Sequence, residues 1–342
     1  MRRVTQSDVA KRAGVSRSTV SLVLNRNSDV VISEETRNRV FNAAMELGYT
    51  PNLAAQKLAG GRNNLIGVFI YRESFPYEQD SFYYAFLLGI ERQASEEGYD
   101  LLMFTRHDRH GNQSIYRDGA NILTMVDGAV LMGAETNKEE IRAAVKDGHK
   151  IVYIGRRNVP DCQLDWVSSD YRTVSGEAMK HLLDLGHRQI GYTAPVGDYE
   201  PDLDRIVGCE EVIAKNPAAQ MHMIPVEVWN DPRELAAFIR QKGLTALILS
   251  MGKCADLVEN LQHADLRVPE DLSVLSLSDQ EVPNPSRNFY PTCVDLKKTL
   301  VGQEAVRLLV KRLSGEIMTP QQIWIRCSLV VGNTTRQLTS DE

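Results

Sequence analysis

The sequence predicts an α/β protein: a small all-α head followed by a larger core of parallel sheets flanked by helices, with the core split into two subdomains. Three observations predict it. Residues 4–48 read as three short helices with capping residues at their ends. From Leu65 onward, short apolar runs alternate with amphipathic helical stretches, the pattern of a parallel sheet covered on both faces. The alternation runs through twice, which implies two sheets and a cleft between them.

The 342 residues are enough for two or three domains, and 43 % of them are hydrophobic, so substantial cores can be buried. The expected boundaries are a head over 1–50, a hinge helix and linker over 51–62, and a two-subdomain core over 63–336.

The head begins at Thr5-x-x-Asp8, a capping-box spacing. Asp8 to Ala13 continue as helix and Gly14 stops it. Ser16 offers a second N-cap, so two helices stand about three residues apart, as in a helix-turn-helix. At about 100° per residue, Val20, Val23 and Leu24 fall on one side of the second helix. Arg17, Ser18, Ser21, Leu22 and Asn25 fall on the other, with Thr19 beside them. A polar helix face is ordinarily just solvated. Short hydroxyl side chains, however, suit close approach to phosphates and base edges better than long Lys and Glu do. A third helix follows, capped by Ser33 and stopped at Gly48, with Val40, Ala44 and Leu47 inward.

Charge is segregated. Residues 1–62 hold ten Lys/Arg against five Asp/Glu, a balance of +5. The whole chain is −6, so the remainder carries −11. A basic head on an acidic body is the electrostatic footprint of nucleic-acid binding.

The core elements follow in order. "LIGVFIY" reads as a buried strand, and "SFYYAFLLGIERQASEEG" as an amphipathic helix capped by Ser81 and stopped at Gly98. "YDLLMF" is a strand, residues 113–125 a helix, "GAVLM" a strand, "NKEEIRAAVKDG" a helix and "KIVYIG" a strand. The second series runs through "VSGEAMKHLLDLGH", "QIGYTA", "LDRIVGCEEVIA", "PRELAAFIRQKG", "ALILS", "CADLVENLQHA" and "LSVLSLS". Ligands on such folds bind at the carboxyl ends of strands, and a cleft between subdomains can close like a hinge.

Other chemistries find little support. The five cysteines are scattered and form no CxxC pair, which fits reduced thiols rather than disulfides or zinc. His107-x-x-His110 lies in a polar loop, not on a helix. Gly252-Lys253 lacks the glycine-rich run of a phosphate loop. Glu96-Glu97 and Glu139-Glu140 read as solvated surface. No catalytic set, metal site or cofactor is expected. No run of 18 apolar residues and no secretory h-region are present, so the expectation is a cytoplasmic protein without a membrane partner.

"VTQSDVAKRAGVSRSTVSLVLN" and "ISEETRNRVFNAAMELGYTPNLAAQKLAG" together resemble the DNA-binding head and hinge of lactose-repressor/galactose-repressor (LacI/GalR) regulators. The rest of the chain, to about Arg336, resembles the family's periplasmic-binding-protein-like core. The resemblance implies a sequence-specific regulator, most often a repressor, that binds double-stranded palindromic operator DNA as a homodimer and answers to a small-molecule effector. The short tail after "QQIWIRCSLVVGNTTRQ" favours a dimer over a tetramer. The competing reading is a sugar-binding protein or enzyme with an incidental basic extension; the head discriminates against it.

The resemblance also implies site residues. Thr5, Ser16, Arg17, Ser18, Thr19, Ser21, Leu22 and Asn25 would face DNA. In the hinge, Leu58 would wedge into the minor groove, with Asn52 and Gln56 near the backbone or groove edges. In the cleft, Arg205 matches the family's R-x-x-G arginine, Phe75 and Trp229 lie near its aromatics, and Asp170 follows the strand "WVSS". Ser250-Met251 and Ser278-Asp279 depart from the family's Asn-Asp and paired acids. Losing those acceptors while keeping a cationic Arg205 shifts the expected effector towards an anion such as a phosphorylated sugar. Two alternatives stay open: Asp279 or Glu281 supplies the lost carboxylate, or the cleft takes no small molecule.

Overall fold

The structure, a computed structural model, describes residues 4–24, 32–49, 63–71, 81–106, 113–134, 136–278 and 288–339. The chain divides into two compact units, Met1–Asn63 and Asn64–Glu342.

In the first unit, α1 spans Gln6–Ala13, α2 Arg17–Leu24 and α3 Glu34–Glu46. Thr5 and Asp8 form a reciprocal capping box: the Thr5 amide donates to the Asp8 carboxylate at 2.9 Å, and the Thr5 hydroxyl does so at 2.7 Å. Gly14 ends α1 in the left-handed region, at φ 66°. Ser16 Oγ accepts from the Thr19 amide at 3.0 Å and starts α2. Ser33 caps α3 through the Thr36 amide. The three helices close on Val9, Ala10, Ala13, Val20, Val23, Val40, Ala43 and Ala44. Leu24 and Leu47 pack against that core.

The second unit opens with β1 (Leu65–Ile70), α4 (Tyr84–Glu96) and β2 (Asp100–Phe104). The helix starts later than expected, because Ser81 contributes only a backbone turn to Tyr84 and no side-chain cap is made. Residues 113–125 correct the sequence reading more sharply. They form a small hairpin, β3 (Tyr116–Arg117) and β4 (Ala120–Asn121), and a 3-10 turn over Ile122–Met125. Asp118 and Gly119, both at positive φ, make its two-residue turn. Glu140 accepts from the Ser114 hydroxyl at 2.5 Å and the Ile115 amide at 3.2 Å, pinning the segment open. That glutamate is therefore half-buried structure, not solvated surface.

The chain continues through β5 (Gly128–Met132), α5 (Lys138–Lys146), β6 (Ile151–Ile154) and β7 (Asp165–Ser169). After β7 it crosses to the second subdomain: α6 (Tyr171–Asp184), β8 (Gln189–Thr193), α7 (Glu200–Ile213), β9 (Gln220–Ile224) and α8 (Val226–Trp229). There follow α9 (Pro232–Lys242), β10 (Ala246–Leu249), α10 (Cys254–His263), β11 (Ser273–Ser276) and β12 (Thr292–Asp295). The chain then returns for α11 (Lys298–Ser314) and β13 (Gln322–Ile325), and ends on β14 (Ser328–Val330).

Two six-stranded sheets result, ordered β13-β7-β6-β5-β1-β2 and β14-β12-β11-β10-β8-β9. Their pairings are parallel except β12 with β14. Strands β5, β6 and β10 are buried along their whole length, as central parallel strands covered on both faces must be. The two series are thus not consecutive blocks: α11 and β13 come late in the chain but complete the first subdomain. Three crossings join the subdomains and are stitched together, since Ser169 Oγ donates to Leu296 O at 2.6 Å and the Asp170 amide to Ile325 O at 2.9 Å.

Candidate functional site

In the head, the sequence of α2 decides what it shows outward. Val20 and Val23 are buried, which leaves Ser16, Arg17 and Ser18 exposed and Thr19, Ser21 and Leu22 half-exposed. Ser16 Oγ lies 2.6 Å from Ser18 Oγ and 2.8 Å from Thr19 Oγ1, a hydroxyl cluster at the helix N-terminus. Such an end, with free amides and positive dipole, suits a phosphate. Arg17 makes no hydrogen bond or ion pair with another described residue. Thr5 sits at the start of α1 with its hydroxyl engaged by Asp8. Asn25, Asn52, Gln56 and Leu58 lie outside the described residues.

In the core, a cavity of about 620 Å³ opens between the two subdomains at the carboxyl ends of their strands. The size falls within the usual range for small-molecule sites. Of the expected effector residues, Arg205, Trp229, Ser250 and Ser278 line it. Asp170 does not: its carboxylate caps α6, accepting from the Thr173 amide at 3.1 Å. Phase of the chain explains this, because the residue after β7 is also the residue before a helix. Phe75, Asp279 and Glu281 lie outside the described residues, as do His107 and His110.

The first turns of α7 set the electrostatics. Asp202 and Arg205, three apart on one face, are both buried and joined at 2.8 Å. The guanidinium also stacks over Tyr171, 4.3 Å from the ring centre. Burial pushes the Asp202 carboxyl above its usual range, and the Arg205 charge opposes that rise. The expected anion-holding Arg205 thus already has a buried carboxylate beside it. The second cationic wall residue, Arg157, was not singled out from sequence. It is held by Thr136 Oγ1 at 3.2 Å, by the Gly133 and Arg156 carbonyls, and by Glu200 at 3.7 Å.

Two buried polar atoms of wall residues have no partner among the described residues: Arg205 Nε and Ser278 Oγ. Tyr71 also lines the cavity, but burial and the neighbouring Glu140 carboxylate raise its pKa, so its phenol is protonated and engaged towards Glu140. Orphan polar atoms at one cavity are what a ligand's own polar groups would satisfy. Ser250, by contrast, is engaged with Thr193, at 3.0 Å between hydroxyls. Trp229 Nε1 donates to Ala194 O at 3.1 Å, which fixes its ring on the wall. Phe82, Tyr83 and Tyr199 add further aromatic surface. These aromatics carry no spacing signal, because they arrive from separate loops and helix starts.

A helix-turn-helix head with an exposed hydroxyl and arginine face, in one chain with a two-subdomain core and a polar, aromatic cleft, is the build of a ligand-responsive DNA-binding regulator. The comparisons with known proteins agree. Residues 5–52 match the model for bacterial regulatory proteins of the lacI family. Residues 66–224 match the periplasmic binding proteins and sugar binding domain of the LacI family, and 179–335 the periplasmic binding protein-like domain. The chain belongs to the LacI family of transcriptional regulators. It is 29 % identical over 350 residues to the transcriptional regulator CelR of Thermobifida fusca, covering 96 % of this chain and 98 % of that one. It is 26 % identical over 354 residues to the transcriptional repressor MelR of Bacillus subtilis, covering 97 % and 98 %. Among solved structures, a CelR–cellobiose complex matches with TM-score 0.65 and 25 % identity over 97 % of this chain and 100 % of that one. A lac repressor dimer bound to operator and the anti-inducer ONPF shares the fold, with TM-score 0.76 and 22 % identity over 98 % and 100 %.

Proposed function

We propose that this regulator represses transcription as a homodimer on a palindromic operator, and that a neutral, sugar-sized ligand in the core cleft changes its affinity for DNA. Two heads must then meet two half-sites about one helical turn apart. Arg17, Ser18, Ser21 and Leu22 would face the major groove, with Ser16 and Thr19 at phosphates and Leu58 in the minor groove. Its place is the cytoplasm, and it performs no catalytic step.

The observation that carries the ligand class is the matched charge of the cavity wall. Arg205 is paired with Asp202, and Arg157 faces Glu200. An anion would add unmatched charge there, whereas hydroxyls can serve Arg205 Nε and Ser278 Oγ without any. The aromatic surface suits the apolar faces of sugar rings. The likeness to a cellobiose-bound regulator supports the same class.

Two measurements test the proposal. Sequencing the genomic fragments retained by the protein yields the operator and the neighbouring genes; an operator without two-fold symmetry contradicts the dimer reading. Calorimetric titration of the full chain with neutral mono- and disaccharides and with hexose phosphates tests the ligand. Sub-millimolar binding confined to the phosphates overturns the neutral class.

A further inference from the structure

Helix α7 has a second charged face. At about 100° per residue, Glu200 and Asp204 lie within about 40° of each other, roughly opposite Asp202. While Asp202 and Arg205 look into the cavity, Glu200 and Asp204 reach across its mouth to the other subdomain. Arg156, just after β6, makes a two-pronged pair with Asp204: Nε to Oδ2 at 2.9 Å and Nη2 to Oδ1 at 2.8 Å. Glu200 accepts from Lys138 Nζ at 3.1 Å and from the Asn158 amide at 3.3 Å, with Arg157 at 3.7 Å. Burial alone would raise the Glu200 carboxyl, yet its backbone contacts and these cations hold it below the usual range. Arg156 and Asp204 are 29 % and 15 % exposed, so their pair is screened less than a surface one, whereas Glu200, 13 % exposed, has in Lys138 a partner that is 44 % exposed and more readily screened.

We propose that Glu200 and Asp204 form an electrostatic clasp between the subdomains, and that this clasp sets the equilibrium between open and closed cleft. The contacts involve protein groups only, so the clasp biases closure without any ligand atom. Its position gives it leverage. The same two turns of helix carry the wall residues Asp202 and Arg205, and the covalent crossings between the subdomains lie elsewhere, at the segments stitched through Ser169, Leu296 and Ile325. Opening the cleft therefore means parting Arg156 from Asp204 and Glu200 from Lys138 and Asn158. The groups act as positioning residues for the ligand site, not as contacts to the ligand.

Hydrogen exchange read by mass spectrometry on the full chain, with no ligand added, tests this. Its failure leaves the ligand class untouched. Asp204→Asn removes the charge while keeping the shape. Exchange in peptides covering 153–159 and 199–206 should rise roughly tenfold or more, the effect of losing a charge-assisted pair on local opening. The exchanged pair Arg156→Asp with Asp204→Arg should restore slow exchange, and Glu200→Gln should add to the effect of Asp204→Asn. Unchanged exchange in both single variants overturns the clasp. So does failure of the exchanged pair to restore protection, because shape rather than charge would then be at work. A rise spread equally into the strand Ala246–Leu249 also overturns it, since that reports a loosened fold.

Discussion

Arg17 is exposed at the first turn of α2, with no described partner for its guanidinium. A bidentate contact from such a residue to guanine is worth about 1–3 kcal/mol of discrimination. Arg17→Ala, assayed against an operator-variant library, should relax preference at one base pair per half-site by that amount. A uniform loss across all sequences would make Arg17 a phosphate contact instead. Leu22 is half-buried and apolar, so it can offer only a surface for a thymine methyl. In the core, Asp202 decides the sign of the cavity. Asp202→Asn leaves Arg205 buried without its counter-charge, which a hexose phosphate can then supply. The variant should bind phosphorylated hexose more tightly than the parent does, and neutral sugar less tightly. Equal phosphate affinities in calorimetry would show that Arg205 is not what an anion would meet. These roles were only partly legible. Arg205, Trp229, Ser250 and Ser278 carry motif positions and reach the cavity. Asp202 carries no sequence signal because its meaning depends on which helix face is buried, and nothing in the spacing of Tyr71 and Arg157 marks them.

At the scale of elements, the strand and helix periods announced most of the core, but not the order in which the chain revisits it. A parallel series reads the same whether α11 and β13 extend the second sheet or return to the first. Only contacts distant in sequence decide, such as the Cβ that Gly302 would direct to 2.3 Å from Phe86 O on α4. The hairpin over 116–121 had a legible Asp-Gly turn, masked by a neighbouring apolar spacing that also fits helix. The R-x-x-G segment shows what the glycine does: a Cβ at Gly208 would lie 2.0 Å from Arg172 O, so α6 and α7 cross there backbone to backbone. Gly208→Ala should destabilise the core by about 1–3 kcal/mol, the usual cost of overpacking, and shift Arg205 with its helix. A urea midpoint unchanged from the parent would refute that contact. A second elemental joint is His187, which is 1 % exposed. Its Nε2 faces Arg336 O at 3.1 Å and so carries the proton; its Nδ1 accepts from Thr245 at 2.9 Å. Burial lowers its pKa to about 4. The folded pKa lies below the unfolded one, so the stability it contributes is present above about pH 6.5 and is lost as pH falls towards 4. Across that window about 3 kcal/mol should disappear, and His187→Gln should flatten the dependence. An equally steep fall in that variant would assign the titration elsewhere.

At the scale of the whole molecule, the basic head and the ligand cavity belong to different compact units, and every lining residue of the cavity comes from the core. Ligand and DNA therefore act on one another only by favouring different populations of the same chain. A ligand that binds both populations equally shifts nothing, however tightly it binds. Thermodynamic linkage then makes a demand that does not depend on whether the ligand releases DNA or promotes binding. If saturating ligand changes operator affinity by some factor, saturating operator must change ligand affinity by the same factor, with couplings between sites typically about 1–3 kcal/mol, or 5–150-fold. Operator titrations with and without ligand give one side of the square. Ligand titrations with and without operator give the other, at protein concentrations where the dimer is intact in all four. Closure of the square is expected with Arg205 intact, and Arg205→Ala should remove both shifts together. If the operator shift persists in Arg205→Ala, the ligand that governs DNA binding is acting at a place other than this cleft.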